Sequence, residues 1–214
     1  ANNGDIIPVV SYSDTNYDDA QVSITLTGAM RKGVALDGSY ADQHNGKVFT
    51  FKNFAKEKEV DDIYTLAATL TDKAGNTTEK TILFSANRFG STYALSAATE
   101  QLNGSYVQTP QDVVVTETNP DALQNIRITL FKNNQTIILQ EGTDYRIEVR
   151  GGNGQWYEYI YTVLAKNFAD DGIYRLTFYS EDAAGNIAEN TLDTKKQEIG
   201  FGVDKTKPNM VVTN

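Results

Sequence analysis

The chain has 214 residues, a formal net charge of −9, no cysteine and a single histidine, His44. The lack of cysteine excludes disulfide staples, thiolate zinc sites and a cysteine nucleophile. Acidity in both halves, with no Lys/Arg cluster, argues against nucleic acid or an anionic membrane surface as partner.

A hydrophobic fraction of 40 %, with 12 Tyr and 9 Phe, is enough for packed cores. Sixteen Gly and abundant Asn, Asp, Thr and Ser favour many turns between strands. No stretch approaches the roughly 18 apolar residues of a membrane span, and no signal peptide or sorting signal is visible in this segment.

In chain order, Pro8-Val9-Val10 opens as a strand, and Asp18-Asp19-Ala20 reads as a short helical turn. Val22-Ser23-Ile24-Thr25-Leu26 and Val48-Phe49-Thr50-Phe51 alternate with the period of two of a half-buried strand. Between them, Ala41 to Gly46 is a polar hairpin loop that carries His44. Asp61-Asp62 is a polar turn before the alternation Tyr64, Leu66, Ala68, Leu70. Asp72-Lys73-Ala74-Gly75-Asn76 then supplies turn chemistry, because Gly takes positive φ cheaply and Asx side chains bond nearby N–H groups. Thr81-Ile82-Leu83-Phe84 returns as the second arm of that hairpin.

The same order then appears again. Ile63-Tyr64-Thr65-Leu66 through Asp72 to Asn76 recurs without a gap as Ile173-Tyr174-Arg175-Leu176 through Asp182 to Asn186. Asn53-Phe54-Ala55 introduces the first copy and Asn167-Phe168-Ala169 the second. Thr15-Asn16 parallels Thr118-Asn119, and Pro120 to Gln124 matches the expected helical turn at Asp18. Ile126 to Leu130, Ile137 to Leu139, Tyr145 to Val149 and Tyr157 to Val163 complete the second strand list. The expectation is an all-β chain of two tandem modules, 1–87 and 88–205, each a sandwich of antiparallel sheets. Residues 206–214 read as the start of a following module or a linker, with Asn209-Met210-Val211-Val212 in the role of Pro8-Val9-Val10.

The repeating residues also carry a resemblance. A Tyr on the penultimate strand (Tyr174), the turn Asp182 to Asn186, and the exit Phe201 to Pro208 resemble the immunoglobulin-like repeat domains of Gram-positive cell-surface proteins. The first module has Tyr64 and Asp72 to Asn76 but lacks the exit proline. The resemblance implies immunoglobulin-like sandwiches that are extracellular, on the bacterial surface, and used as adhesin modules, stalks or receptors for host proteins such as immunoglobulins. Tyr64, Asp72, Gly75 and Asn76, with Tyr174, Asp182, Gly185 and Asn186, are the structural motif it names.

Asp72 and Asp182 are the candidate calcium ligands, weighed against carboxylates that only accept N–H bonds from their own turn. Tyr64 and Tyr174 share the phase of the core residues, which favours burial with the hydroxyl tied to backbone. Gly151 to Tyr161 is the most distinctive stretch of the second module. Its phase places Trp156, Glu158 and Ile160 on the outer face beside a Gly-rich loop with Asn153, a candidate protein-binding surface. The alternative is that Trp156 packs under that loop or against the neighbouring module. No nucleophile–base pair or phosphate loop emerges, and the paired acids Asp61/Asp62 and Asp170/Asp171 recur as shared turns.

The expected function is therefore non-catalytic, without a cofactor: an adhesin or receptor segment that binds a host extracellular protein, with neighbouring modules of the same chain as further partners. A passive spacer, and an accessory module of a secreted carbohydrate-active enzyme with a glycan ligand, are the alternatives.

Overall fold

The computed structural model describes residues 1–213. Six strands make the first sandwich: β1 (Val9–Ser13), β2 (Tyr17–Gly28), β3 (Gly38–Gln43), β4 (Gly46–Phe51), β5 (Asp62–Asp72) and β6 (Thr77–Ala86). They form two antiparallel sheets, ordered β1-β4-β3 and β2-β5-β6. The period-two residues of each strand meet between the sheets, where Leu26, Phe49, Phe51, Tyr64 and Leu66 form a buried cluster with Ile6 and Ala86. Burying each large side chain contributes about 1.5–3 kcal/mol.

The second sandwich is larger. It contains β7 (Thr92–Leu95), helix α1 (Ala97–Leu102), β8 (Tyr106–Val107), β9 (Val113–Asn119), β10 (Leu123–Lys132) and β11 (Gln135–Ile138). β12 (Tyr145–Gly152), β13 (Gln155–Val163), β14 (Gly172–Asp182), β15 (Ile187–Glu189) and β16 (Ile199–Val203) follow. One sheet is ordered β12-β13-β9-β7 and the other β11-β10-β14-β16-β8, with β15 also on β14. Among the strands of the described residues, β16 and β8 pair in parallel and the other pairs are antiparallel. The core between them includes Val113, Val115, Ile128, Tyr161, Tyr174 and Phe178.

Strand for strand, β1 to β6 correspond to β9, β10, β12, β13, β14 and the returning strand β15/β16. This order is that of two tandem immunoglobulin-like sandwiches, so the all-β expectation holds. No helix among the described residues is long and apolar enough to cross a membrane.

Three local expectations differ from the structure. The helical turns at Asp18 and Pro120 do not form: Asp18 lies in a bulge at the start of β2, where the ladder shifts between Tyr17 and Val22, and Pro120 lies in a bend just before β10, whose own ladder shifts between Gln124 and Arg127. Asp18 caps the N–H of Ala20 and Asn125 takes φ +53°, both favouring a bulge over a helix start. The one α-helix among the described residues is α1, capped by Ser96 accepting from the Thr99 N–H. Finally, Asn16 is not the counterpart of Asn119. The Asn16 carbonyl accepts from Lys73 N–H as the Ala122 carbonyl does from Ala183 N–H, while Asn119 ends β9 fully buried.

The tyrosine expectation is met in both copies. Tyr64 and Tyr174 are fully buried, and their hydroxyls donate to the carbonyls of Val60 and Asp170 at 2.7 Å. Each bond ties the strand to the turn four residues before it.

Candidate functional site

Each Asp-x-Ala-Gly-Asn turn is built alike. Asp72 Oδ1 accepts from the backbone N–H groups of Ala74 and Asn76 at 2.8 Å, and its Oδ2 from the Asn76 amide at 2.8 Å. Asp182 repeats these bonds with Ala184 and Asn186 at 2.9 to 3.0 Å. Gly75 and Gly185 supply the positive φ, +91° and +86°, that the turn needs. The Asn76 side chain and its N–H hold the Asp72 carboxyl below the usual carboxylate range. In both turns the carboxylate oxygens face N–H donors, the reverse of the arrangement a calcium ion requires. Among the described residues no three His, Cys, Asp or Glu side chains are grouped to hold a metal.

The copies part at what lies beyond the turn. β5 runs from Asp62 to Asp72, and β14 from Gly172 to Asp182. The modules meet at the Asp62 end of the first and the Asp182 end of the second. There Asn87, leaving β6, inserts its amide into a hub of fully or nearly buried polar groups. Asn87 Nδ2 lies 2.9 Å from Asn119 Oδ1, 3.0 Å from Asp121 Oδ2 and 2.8 Å from Asp182 Oδ2. Asn119 donates to Asp182 and to Ser91 Oγ, Asn186 donates to the Asn87 carbonyl, and Ser85 donates to Asp121 at 2.7 Å. Polar groups removed from water this completely must be paired, and here two modules supply the partners for each other.

A second contact uses Trp156. Its indole N–H donates to Asp62 Oδ1 at 2.7 Å. The fully buried Asp62 carboxylate also accepts from the N–H groups of Met30, Arg31 and Ile63. At the tip of the β12–β13 hairpin, Asn153 sits at φ +51° beside Gly154, which faces the Leu83 side chain of the first module. Asn153 lines a junction groove with Leu83, Pro120 and Tyr157. Trp156 and Asn153 thus come together at the junction. Glu158, exposed, and Ile160, half-buried, lie farther along the outer face of β13, away from them.

The exit of the first module is held by Asp61, whose Oδ2 accepts from Arg88 N–H at 2.9 Å and Phe89 N–H at 2.8 Å. Its Oδ1 is buried without a partner, and burial pushes its carboxyl above the usual range. The Arg88 guanidinium reaches the carbonyls of Phe54 and Ala55. The second module ends on the same clasp: Asp171 accepts from Lys205 N–H at 2.9 Å and the Thr206 hydroxyl at 2.7 Å, and Lys205 Nζ donates to the Ala169 carbonyl. Lys195 Nζ donates to the Phe89 carbonyl just after the connector at 2.7 Å, and burial lowers its pKa.

Sequence reasoning missed Asn87, Asn119, Asp121 and the burial of Asp61 and Asp62. An available signal was the pairing of a polar residue and a basic one at each exit, Asn87-Arg88 and Asp204-Lys205.

No family model and no curated protein matches the sequence. Among solved structures, the chain is similar to two tandem Ig fragments of titin, at 11 % and 10 % identity. Each match covers 95 % of this chain, with 91 % and 89 % of the titin chains and a TM-score of 0.42. A tetra-tandem repeat from the extending region of a large adhesion protein matches at 15 % identity, 94 % of this chain, 50 % of that chain and TM-score 0.43. The strand order and core of its own two modules make this chain a tandem pair of immunoglobulin-like sandwiches.

Proposed function

We propose that this chain is a non-catalytic, stiff spacer from the extracellular part of a bacterial cell-surface protein, setting a fixed angle between whatever lies on either side of it. The observation that carries the reading is the burial of the connector. Asn87 and Ser91 are fully buried; Asn87 donates from its backbone N–H to the Asn2 carbonyl of the first module and from its amide to Asp182 of the second, and Ser91 Oγ accepts from Asn119, whereas a flexible linker is solvated and rich in Gly and Ser. Trp156, the aromatic most suited to capturing a partner, spends its one donor on Asp62 of the neighbouring module. Bacterial and extracellular placement rests on the motif resemblance at Tyr174, Asp182 to Asn186, and Phe201 to Pro208.

Because the chain has no cysteine, single cysteines introduced on each module can be dye-labelled for single-molecule energy transfer. The expected result is one narrow inter-module distance distribution that broadens in Asn87→Ala. A broad distribution in the unaltered chain would overturn the reading.

A second reading, an adhesin that binds a host extracellular protein such as an immunoglobulin, is favoured by the junction groove. Leu83 is 54 % exposed at its rim, beside Asn153. Capture of a serum or mucosal protein by the folded chain, lost in Leu83→Asp, would support it; an empty panel would leave the spacer.

A further inference from the structure

The two copies differ at a loop that reaches the joint. β6 pairs along β5 without interruption, from Thr77 opposite Thr71 to Ala86 opposite Asp62. In the second module the returning strand is split. β15 pairs with the Asp182 end of β14 and β16 with its Gly172 end, and residues 190–198 leave the ladder between them. This excursion is held in one shape. Asn190, fully buried, donates from its amide to the carbonyls of Leu176 and Gln197 and accepts the Phe178 N–H. The Leu192 carbonyl takes the N–H groups of Lys195 and Lys196, and Lys196 turns the chain at φ +48°.

The loop leans on the exit of the first module and delivers Lys195 there, with its Nζ 2.7 Å from the Phe89 carbonyl. Arg88, leaving β6, and Lys58, in the short turn before Asp61, line the same cleft of about 280 Å³. Three cations far apart in a chain of net charge −9 are thus gathered at one place. Among the described residues none of the three forms an ion pair, whereas six other basic side chains do. Burial and the Lys58 charge lower the pKa of Lys195. Asp61, Asp182 and Glu117 pull the other way, but all three are committed. Asp61 clasps the Arg88 and Phe89 N–H groups, Asp182 the amides of the hub, and Glu117 the hydroxyls of Tyr161 and Ser180. Each guanidinium nitrogen of Arg88 gives one N–H to a carbonyl of the first module, and Nη1 and Nη2 each keep a second. The rest of the wall is apolar, with Phe89, Ile187 and Leu192 all exposed.

We propose that this cleft binds a small organic acid, one carboxylate on an apolar body, with the carboxylate between Lys58 and Lys195 and the body on Phe89 and Leu192. A hydrated inorganic dianion has no use for the apolar wall, and a neutral apolar molecule has none for three cations. The volume lies near the lower end of the roughly 300–1,000 Å³ of ligand pockets, which suits a compact ligand. The carboxylate would offset the repulsion between ammonium groups carried by different modules, so occupancy strengthens the joint. The site rests on how the two modules meet; inter-module distances report on that joint, and ligand titration reports on the cleft.

Amide NMR of the whole chain, titrated with phenylacetate in low-salt buffer, tests it. Saturable shifts centred on Lys58, Arg88, Phe89, Ile187 and the loop from Leu192 to Lys195 are expected, and they should weaken as salt is added. Phenylacetamide has the same shape without the charge and should bind severalfold more weakly, as should inorganic phosphate. Lys58→Gln alters only an exposed side chain and should lower the affinity. Lys195→Gln keeps a donor for the Phe89 carbonyl and, combined with Lys58→Gln, should lower it further. The peptide acetyl-Gly-Gly-Phe, with a free carboxylate, separates two sources of the acid: tighter binding than phenylacetate assigns the cleft to a chain end, and weaker binding to a free acid. No saturable shift at tens of millimolar phenylacetate would overturn the proposal. So would phenylacetamide or phosphate binding as well as phenylacetate, or an affinity indifferent to the double substitution.

Discussion

Trp156 and Asp62 are separated by 94 residues and joined by a hydrogen bond of 2.7 Å that crosses from one module to the other. The bond couples the most distinctive residue of the second module to a carboxylate that the first module has already buried against three backbone N–H groups. A ring that would otherwise be a surface aromatic is thereby part of the joint.

Trp156→Phe isolates that bond, because it keeps most of the packing and deletes the donor. Hydrogen bonds to charged groups contribute about 1.5–3 kcal/mol. The expected outcome is a loss of that order in urea unfolding, with a wider inter-module distance distribution and each module still folded by NMR. An unchanged distribution would show that the indole N–H plays no part in the joint.

The two copies of one turn should differ sharply in cost. Asp182→Ala strips the hub of the carboxylate that accepts from Asn87, Asn119 and Asn186 together, leaving buried amides unpaired. Unsatisfied buried donors cost about 1–3 kcal/mol each, so a loss of about 3 kcal/mol or more is expected. Asp72→Ala removes only bonds within its own exposed turn, and its loss should be clearly smaller. Chemical denaturation of both variants compares them directly.

The paired exit clasps should titrate in opposite directions. Burial raises the Asp61 carboxyl, whereas the Thr206 hydroxyl and the Lys205 N–H lower that of Asp171. A raised folded-state pKa means that the folded protein binds the proton more tightly, so this group adds stability as pH falls through that pKa. For Asp171 the sign reverses: its contribution is present above the ordinary carboxylate range and fades as pH drops below it. Carbon-detected NMR titration should place the Asp61 midpoint above the unfolded value and that of Asp171 below. Asp61→Asn should raise the melting temperature at neutral pH, with the gain shrinking towards pH 4.

Deep in the second core, Glu117 is fully buried and accepts from the Tyr161 hydroxyl at 2.7 Å and the Ser180 hydroxyl at 2.5 Å. Burial and the Glu117 charge push the Tyr161 phenol well above its usual range. Tyr161→Phe leaves that carboxylate one donor short and should cost about 3 kcal/mol. Tyr174→Phe, which frees only the Asp170 carbonyl, should cost about 1 kcal/mol. Thermal unfolding of the two variants separates a buried charge from a neutral acceptor.

How much of this was legible differs from element to element. The alternation in Tyr64 to Leu70 and in Tyr174 to Ser180 places one face of a strand on a core, and Gly75 and Gly185 mark turns whose φ only glycine adopts cheaply. Those signals are local, set by the pleat and by backbone sterics, and they suffice for two repeated sandwiches. The segments at Asp18 and at Pro120 to Gln124 read as helical turns in sequence because Asx side chains cap a helix start and support a bulge with the same kind of bond to backbone N–H.

The repeat, the strand faces and the clamped turns were determined by sequence alone, since each depends on neighbours a few positions away. Which copy of the turn becomes a joint was decided only by the tertiary structure. Asp72 and Asp182 sit in almost identical local sequence, yet only Asp182 receives Asn87 from the preceding module and Asn119 from its own. The same holds for Trp156, whose outward phase was readable, but whose partner Asp62 lies on a different sandwich. Long-range pairing of buried polar groups depends on how two finished surfaces meet, and no periodicity within either strand encodes it.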